Sequence, residues 1–530
     1  MSKLNKPSIV LVIALWLVVL IVGLACRLPM IGDEVTHYYM LVTQSERLPT
    51  PSFEIHIPVG VDGSETEVRN YPHTFLWHYI GAILFRLTGS SAVIQLYQSL
   101  FLLQLLVVVM CIMKDLGYGR ESEVSALAAI VSLPMTLLFS VVFYQDVPAV
   151  AQALTALYFL MSRKWLAGAI FMTLALCIKE PMFLFLPAYL VILIAVDWKL
   201  DGRLKKCAII LISAIIMFSA CYGVARAIRQ HGNASYYPAD MIKVTINRIL
   251  VYLPEFFKKT VPGSTAVQAR QPGPPLVLSF CDPKIIANNP GDLRNPVNWL
   301  MYGGGVFYLL LIFGSIGWLC RGEGRSTAGD SRVWWFSLAG VSYLILAYLF
   351  LGAPEARFFM PGLIMIAITL AVGFARLPGA RIWVAVLSVV AIAQTGAVLA
   401  KTYTLRHVPS GITEAIDFLR RDPPKPNRVF MYPEGNYRLF PCPHEWYLLP
   451  EYELRTLWKG NNDQRIALLR KHVVGAIVIK KHLIGKIDQG MENLGIYPDY
   501  FVKDIECDSR FRKVLDNKDI LIYLMPDQGR

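Results

Sequence analysis

The feature that most constrains the fold is a series of long apolar runs separated by short connections. About 20 apolar residues, at 1.5 Å each, span a bilayer core of about 30 Å. The runs that approach or reach this length are residues 8–26, 92–113, 122–143, 147–162, 165–178, 181–196, 207–228, 298–320, 333–353, 358–375 and 381–400. The chain is 55% hydrophobic and 17% charged, which excludes an ordinary soluble protein. We therefore predict a polytopic α-helical membrane protein with about eleven transmembrane helices.

The distribution of Lys and Arg predicts the orientation of these helices. Basic residues precede the first run and then occupy every second connection, for example residues 199–206 and 321–332. Short cytoplasmic loops collect Lys and Arg, so the amino terminus is predicted to lie inside. Residues 74–87 are moderately apolar, but counting them as a span would place every later basic cluster outside. We predict that they form a helix in the outer interface.

The composition changes after residue 400, where no further run of 18 apolar residues occurs. Apolar patterns there alternate between helical and extended spacing, which predicts a small C-terminal α/β domain outside the cytoplasm. The predicted domains are therefore residues 1–400, a transmembrane domain with outer loops at 27–91 and 229–297, and residues 401–530. No Gly-rich phosphate loop opens a helix in the second domain, so a nucleotide-binding module is not predicted.

The predicted topology places five ionisable residues at the outer ends of different helices. Asp33 and Glu34 follow the first span, Asp146 follows the third, and Lys179 and Arg357 lie at later outer turns. Charges half buried in a membrane protein are costly unless paired, and they often mark a functional site. The structural alternative is that paired ions only tie the helix ends together.

This set of charges is suited to transfer of a group from a lipid phosphate. Arg357 can grip a phosphate with its planar guanidinium, and Lys179 can add a point charge. Asp33 across a cleft can take the proton of an attacking hydroxyl. Glu180 and Glu355 are expected to pair with the neighbouring cations rather than to act as catalysts.

Other residue types give weaker signals. His37, His73 and His78 are expected to be surface residues rather than metal ligands, and the cysteines show no metal-binding spacing. The net charge of +13 comes largely from the topological Lys and Arg, the long outer loop and the C-terminal region. No interleaved basic and aromatic pattern indicates nucleic acid as a partner.

With these residues in place, the chain resembles the GT-C superfamily of polyprenyl-phosphate-sugar-dependent glycosyltransferases, which includes protein O-mannosyltransferases and aminoarabinose transferases of lipid A. The similar stretches are Gly32-Asp33-Glu34, Tyr144-Gln145-Asp146-Val147-Pro148, Ile178-Lys179-Glu180-Pro181 and Glu355-Ala356-Arg357-Phe358-Phe359-Met360-Pro361. The sequence departs from many members at Tyr71-Pro72-His73-Thr74, where they have a basic residue followed by two prolines.

The resemblance implies an inverting glycosyltransferase that uses a polyprenyl-phosphate-linked sugar donor and a lipid, glycan or protein acceptor. It gives Asp33 the role of base with Glu34 adjacent, makes Asp146 a second acid near the acceptor or a metal, and places Lys179 and Arg357 on the donor phosphate. Some members bind a divalent metal ion, which the resemblance allows here.

Two other classes of function remain as alternatives. A lipid or solute transporter, such as a flippase, could line a path with the same charges, but it predicts charges distributed through the spans and an internal repeat. Neither is observed in the sequence. A sensor acting through the C-terminal domain would not need Asp33 and Asp146.

Overall fold

The structure is a computed structural model that describes residues 6–25, 33–59, 65–70, 76–133, 136–137, 139–140, 142–179, 182, 184–186, 310, 312–313, 328–351, 356–406, 410–426, 428–431, 456–481, 484–485 and 497–526. The chain forms two compact units. The first consists of Met1–Arg27, Gln44–Phe53 and Pro72–Thr402, and the second of Leu28–Thr43, Glu54–Tyr71 and Tyr403–Arg530.

The first unit is built from helices. They are α1 (Lys6–Ala25), the last turn of α2 (Asp33–Arg47), α3 (Leu76–Thr88), α4 (Ser91–Asp115), α5 (Arg120–Val131), α6 (Asp146–Met161), α7 (Trp165–Ile178), α8 (Ala328–Leu351), α9 (Ala356–Phe374) and α10 (Ala380–Arg406), whose last residues extend beyond this unit. Each apolar run that the structure describes contains helix, as predicted. The predicted interfacial segment 74–87 is also helical, as α3.

The prediction of one continuous helix over residues 122–143 is wrong. Helix α5 ends at Val131, and the next helical residue described after Ser132 and Leu133 is Thr136. Pro134 follows closely in the sequence, and a proline removes a backbone donor and disfavours the helical conformation of the residue before it. The described part of the connection to α6 is therefore irregular, with turns, bends and a short helical piece at Thr136 and Leu137.

The number of membrane-spanning helices stays a prediction. Among the described residues, Ser91–Asp115 is both long and apolar enough to cross a bilayer, and six other helices contribute shorter apolar stretches, such as Ala380–Ala393 of α10. The predicted spans at 181–196, 207–228 and 298–320 and the loop at 229–297 lie wholly or almost wholly outside the described residues.

Polar side chains inside the helical unit pair with each other across helices. Gln104 of α4 and Gln152 of α6 exchange amide hydrogen bonds of 3.0 and 3.3 Å, and the Gln104 amide also donates to the Thr155 hydroxyl at 2.9 Å. Trp16 of α1 donates to the carbonyl oxygen of Ser99 on α4 at 3.0 Å. Such contacts join helices in apolar surroundings, where an unpaired polar group is costly.

Helices α8 and α9 touch backbone to backbone at two glycines. A methyl group placed on Gly340 would lie 2.7 Å from the Gly362 carbonyl oxygen, and one on Gly362 would lie 2.8 Å from the Gly340 carbonyl oxygen. No larger residue fits without a shift of the backbone. Small residues at helix crossings allow this close approach in membrane proteins.

Another face of α8 carries large apolar side chains that are exposed. Trp334, Leu338, Val341 and Ile345 follow one another at three- and four-residue spacing and are 41–54% exposed. Residues with this spacing lie on one helix face. An exposed apolar stripe is unfavourable in water but suits contact with lipid.

The second unit contains a two-stranded sheet and a four-stranded sheet. Strands β1 (Glu54–Val59) and β2 (Glu65–Asn70) pair antiparallel. The larger sheet has the order β3-β4-β8-β7, in which β3 (Val429–Met431) is parallel to β4 (Ala476–Lys480). Strand β8 (Ile520–Leu524) pairs antiparallel with β4 on one side and with β7 (Arg512–Asp516) on the other. A further short parallel pair joins β5 (Ile484–Gly485) and β6 (Tyr497–Pro498).

Helices cover both faces of the larger sheet. This is required because successive buried residues of its strands point to opposite faces. Its helices are α11 (Ser410–Arg421), α12 (Asn462–Lys471) and α13 (Asp499–Cys507). Val478 packs in one core with Leu419 of α11, whereas Ile477 packs in the other with Leu469 of α12 and Phe501 of α13. The α/β structure predicted for this part of the chain is present in the described residues.

An ionic cluster lies on the surface of this unit. The Arg510 guanidinium donates to the Asp508 carboxylate at 2.7 Å and to Asp463 at 2.5 Å. The hydrogen bonds from Arg510 hold the pKa of Asp508 at about 2, below its usual value. The ionised form of Asp508 is therefore the one that the fold stabilises.

Candidate active site

The structure brings two of the predicted site residues into direct contact. Helices α6 and α7 are consecutive and joined by three residues, so α7 returns toward the start of α6. Asp146 is the first residue of α6, and Lys179 follows the last residue of α7. The Lys179 Nζ donates to Asp146 Oδ1 at 2.5 Å. A carboxylate in a first helical turn is also stabilised by the helix dipole.

This ion pair is withdrawn from solvent. The side chains of Lys179 and Asp146 are 13% and 4% exposed. A buried pair of charges contributes little net stability, but removal of one partner leaves the other uncompensated at a large cost. The contact also agrees with the structural alternative, in which paired ions tie helix ends together. Glu180, the partner expected for Lys179, lies outside the described residues.

Several buried oxygens have no protein partner among the described residues. Near the ion pair they include Asp146 Oδ2, the second oxygen of the paired carboxylate, the hydroxyl of Tyr343 on α8, and Gln98 Oε1 on α4. Tyr343 is fully buried and packs edge-on against Phe185, with ring centroids 5.7 Å apart. An unpaired buried polar atom costs about 1–3 kcal/mol, so each is available to a ligand group or water.

A buried histidine and a buried glutamine complete the described polar cluster. The Gln145 side-chain nitrogen lies 3.4 Å from Nδ1 of His78 on α3, and both residues are inaccessible or nearly so. The expectation that His78 and His37 are surface residues is wrong, because they are 0% and 8% exposed. His73 lies outside the described residues.

The remaining predicted residues are located by their backbone. Asp33 and Glu34 are the first two residues of α2 and belong to the second unit, whereas Asp146 and Lys179 belong to the first. Arg357 is the second residue of α9, in the first unit. The side chains of Asp33, Glu34 and Arg357 are not among those described, and Glu355 lies outside the described residues.

Sequence reasoning missed His78, Gln145, Tyr343 and Gln98 of α4, whose amide donates to the Tyr144 carbonyl oxygen, as candidates. One available signal was spacing. Trp77 and Gly81 are four residues apart, as are His78 and Ala82, so these residues share one face of α3, and that face is buried. Another was the presence of amide side chains within the apolar run of α4. Among the described side chains, no three His, Cys, Asp or Glu residues are placed to hold a metal ion.

Comparison with solved structures identifies proteins of similar fold. An archaeal oligosaccharyltransferase, AglB from Archaeoglobus fulgidus, solved with an inhibitory peptide and a dolichol-phosphate, matches 88% of this chain and 69% of its own, with a TM-score of 0.55 and 11% identity. A second structure of the Archaeoglobus fulgidus oligosaccharyltransferase, with Zn and sulfate, has a TM-score of 0.55 and 12% identity, over 88% of this chain and 67% of its own. ArnT from Cupriavidus metallidurans in the apo state matches 97% of both chains, with a TM-score of 0.51 and 12% identity.

A family model described as ALG3 protein matches residues 63–230. No curated protein matches the sequence. The solved neighbours are GT-C glycosyltransferases of the membrane. The resemblance inferred from the sequence motifs is therefore confirmed at the level of the fold.

Proposed function

We propose that the chain is a membrane glycosyltransferase that moves a sugar from a polyprenyl-phosphate-linked donor to a lipid, glycan or protein acceptor. The carrying observation is the shared fold together with a buried Asp146–Lys179 pair at the ends of adjacent helices. Proteins of this fold act on such donors, and one neighbour was solved with a dolichol-phosphate. In this proposal residues 1–400 form the catalytic membrane domain and residues 401–530 an outer domain.

Arg357 and Lys179 bind the donor phosphate in this proposal. Arg357 lies in the first turn of α9, where backbone N–H groups without helical partners favour an anion. Its guanidinium adds two parallel donors with the geometry of a phosphate. The Lys179 ammonium, which donates to Asp146, adds positive charge for the donor phosphate.

Asp33 acts as the base. The acceptor hydroxyl attacks the anomeric carbon of the sugar and gives its proton to the Asp33 carboxylate, while the bond from that carbon to the phosphate oxygen breaks. The lipid phosphate leaves with the bonding electrons, and attack opposite the leaving group inverts the anomeric centre. A positioned carboxylate contributes about 10²–10⁴-fold to such a proton transfer.

The neighbouring acid is expected to matter less. Asp33 and Glu34 are consecutive in α2, and consecutive residues of a helix point about 100° apart, so they cannot both face the same reacting hydroxyl. Asp146 serves as the second acid, since its unpaired Oδ2 can accept a hydrogen bond from a hydroxyl group of donor or acceptor.

The test is transfer of radiolabelled sugar from a polyprenyl-phosphate donor by the purified protein. Asp33→Asn keeps the size of the side chain and removes its basicity, so it should bind the donor normally and transfer sugar at least about a hundredfold more slowly. Glu34→Gln is the matched control and should be less affected. Near-wild-type turnover of Asp33→Asn with donor binding intact would exclude Asp33 as the base.

The same assay separates the enzyme from the rival transporter or flippase. A transporter moves the intact lipid or solute, so it would relocate the label across sealed vesicles without breaking the bond between sugar and phosphate. A transferase releases the lipid phosphate and labels the acceptor. Label that crosses the vesicle membrane while still attached to phosphate would support the rival function.

We further propose that the reaction occurs on the extracytoplasmic face of a bacterial inner membrane, with the amino terminus inside. Residues 229–297 and 401–530 then lie outside, and 321–332 lie inside. A cysteine introduced at Arg325, in a background without other accessible cysteines, should be protected from an impermeant reagent in sealed cells. Labelling of that cysteine from outside would reverse the orientation.

A further inference from the structure

We propose that Gln98 is a positioning residue that fixes the start of α6, and with it the Asp146 carboxylate, for the transfer reaction; this inference rests on the proposed function. Gln98 lies two turns into α4 and is 0% exposed. Its side-chain nitrogen donates to the Phe139 carbonyl oxygen at 2.5 Å and to the Tyr144 carbonyl oxygen at 2.7 Å. An amide nitrogen has two N–H groups, so both are used.

The two carbonyls belong to the irregular connection between α5 and α6. Tyr144 is two residues before Asp146, and the Phe139 and Tyr144 rings also touch, with centroids 4.6 Å apart. The next residue, Gln145, is the N-cap of α6, and its carbonyl accepts the amide of Ala149. The Gln98 amide is therefore linked to Asp146 through two residues of backbone.

A side-chain donor is needed at this place because the connection is buried. Phe139, Tyr144 and Gln145 are 8%, 9% and 2% exposed, and the carbonyls held by Gln98 lie outside the regular helices. A buried carbonyl without a partner is costly, and removal of the amide would let this segment move toward other donors. Asp146 and its pair with Lys179 would move with it.

The chain offers a matched control on the same helix. Gln104 lies six residues after Gln98, and its amide binds side chains of α6, Gln152 and Thr155, rather than the connection before Asp146. Methionine has a similar length to glutamine, so its substitution removes two buried hydrogen bonds at Gln98 and part-buried ones at Gln104. The Gln98 bonds hold the residues directly before Asp146, whereas the Gln104 bonds hold α6 at Gln152 and Thr155, further along that helix.

The experiment compares Gln98→Met, Gln104→Met and the wild type for kcat, for the KM of the polyprenyl-phosphate sugar, and for Tm. A displacement of about 1 Å at a reacting group can cost about a hundredfold in rate. We expect Gln98→Met to lower kcat by about 10- to 100-fold with KM changed less than about threefold. Gln104→Met should lower Tm by a similar amount and leave kcat within about twofold.

Each outcome bears on the inference. If Gln98→Met lowers Tm but keeps the wild-type kcat, Gln98 only stabilises the fold and the inference is refuted. If Gln98→Met does not yield folded protein, Gln98→Asn, which keeps the amide with a shorter reach, is measured in the same way and should show an intermediate kcat. Absence of transfer by the wild type would instead refute the proposed function.

Discussion

Replacement of Lys179 by methionine is expected to destabilise the helical unit strongly. Methionine approximates the aliphatic stem of lysine but lacks the ammonium, which lies 2.5 Å from Asp146 Oδ1. The Asp146 carboxylate would then have no hydrogen-bond partner for either oxygen among the described residues. Since its side chain is 4% exposed, water does not replace the lost partner easily.

The size of the effect follows from this burial. An uncompensated buried charge costs about 3–5 kcal/mol, whereas an exposed ion pair contributes about 0–1 kcal/mol. In domains of 150–250 residues, 1 kcal/mol shifts Tm by about 2–4 °C, and larger units shift less. Lys179→Met should therefore lower Tm by roughly 4–10 °C.

The assay is thermal unfolding of the protein in detergent, with two further variants. Lys503, whose side chain is 72% exposed, forms an ion pair with Asp499. Lys503→Met should change Tm by less than about 1 °C. The double variant Lys179→Met with Asp146→Asn removes both charges and should recover more than half of the loss. The reasoning is refuted if Lys179→Met behaves like Lys503→Met, or if the two changes in the double variant simply add.

Three further outcomes are expected. Gly362→Ala places a methyl group 2.8 Å from a backbone carbonyl and should destabilise by about 1–3 kcal/mol in thermal unfolding, whereas Gly396→Ala, with no atom within 4 Å, should be neutral or stabilising. Because Arg510 lowers the pKa of Asp508 to about 2, the stabilisation is present above the unfolded-state pKa near 4 and is lost as pH falls toward 2; acid unfolding of Asp508→Asn should lack this component. Arg357→Ala should raise the donor KM more than Arg357→Lys, which keeps the charge without the fork, in steady-state kinetics.

The helices of this chain could be predicted from sequence because apolar run length is a direct physical requirement of a membrane span. The run 165–178 coincides with α7. The predicted helix over residues 122–143 is wrong because hydrophobicity alone does not indicate the break before Pro134. A proline interrupts a helix through its backbone and leaves the hydrophobicity of the run almost unchanged.

The site was predicted only in part, for a similar reason. Alternation of basic loops was enough to predict Asp146 and Lys179 on the same side of the membrane, and they are in contact. It could not indicate that Gln98 or Tyr343 would be buried nearby, since that depends on which face each helix turns inward. The roles of Asp33 and Arg357 stay predictions, because their side chains are not among those that the structure describes.

The contact between Gly340 and Gly362 has a mechanical consequence. Where two backbones touch, neither helix can slide or rotate past the other without a steric clash, so α8 and α9 are constrained to move together as one rigid unit. Tyr343 lies three residues after the first glycine, and Arg357 lies five residues before the second. Any motion that carries one of these two residues toward a bound lipid must therefore carry the other.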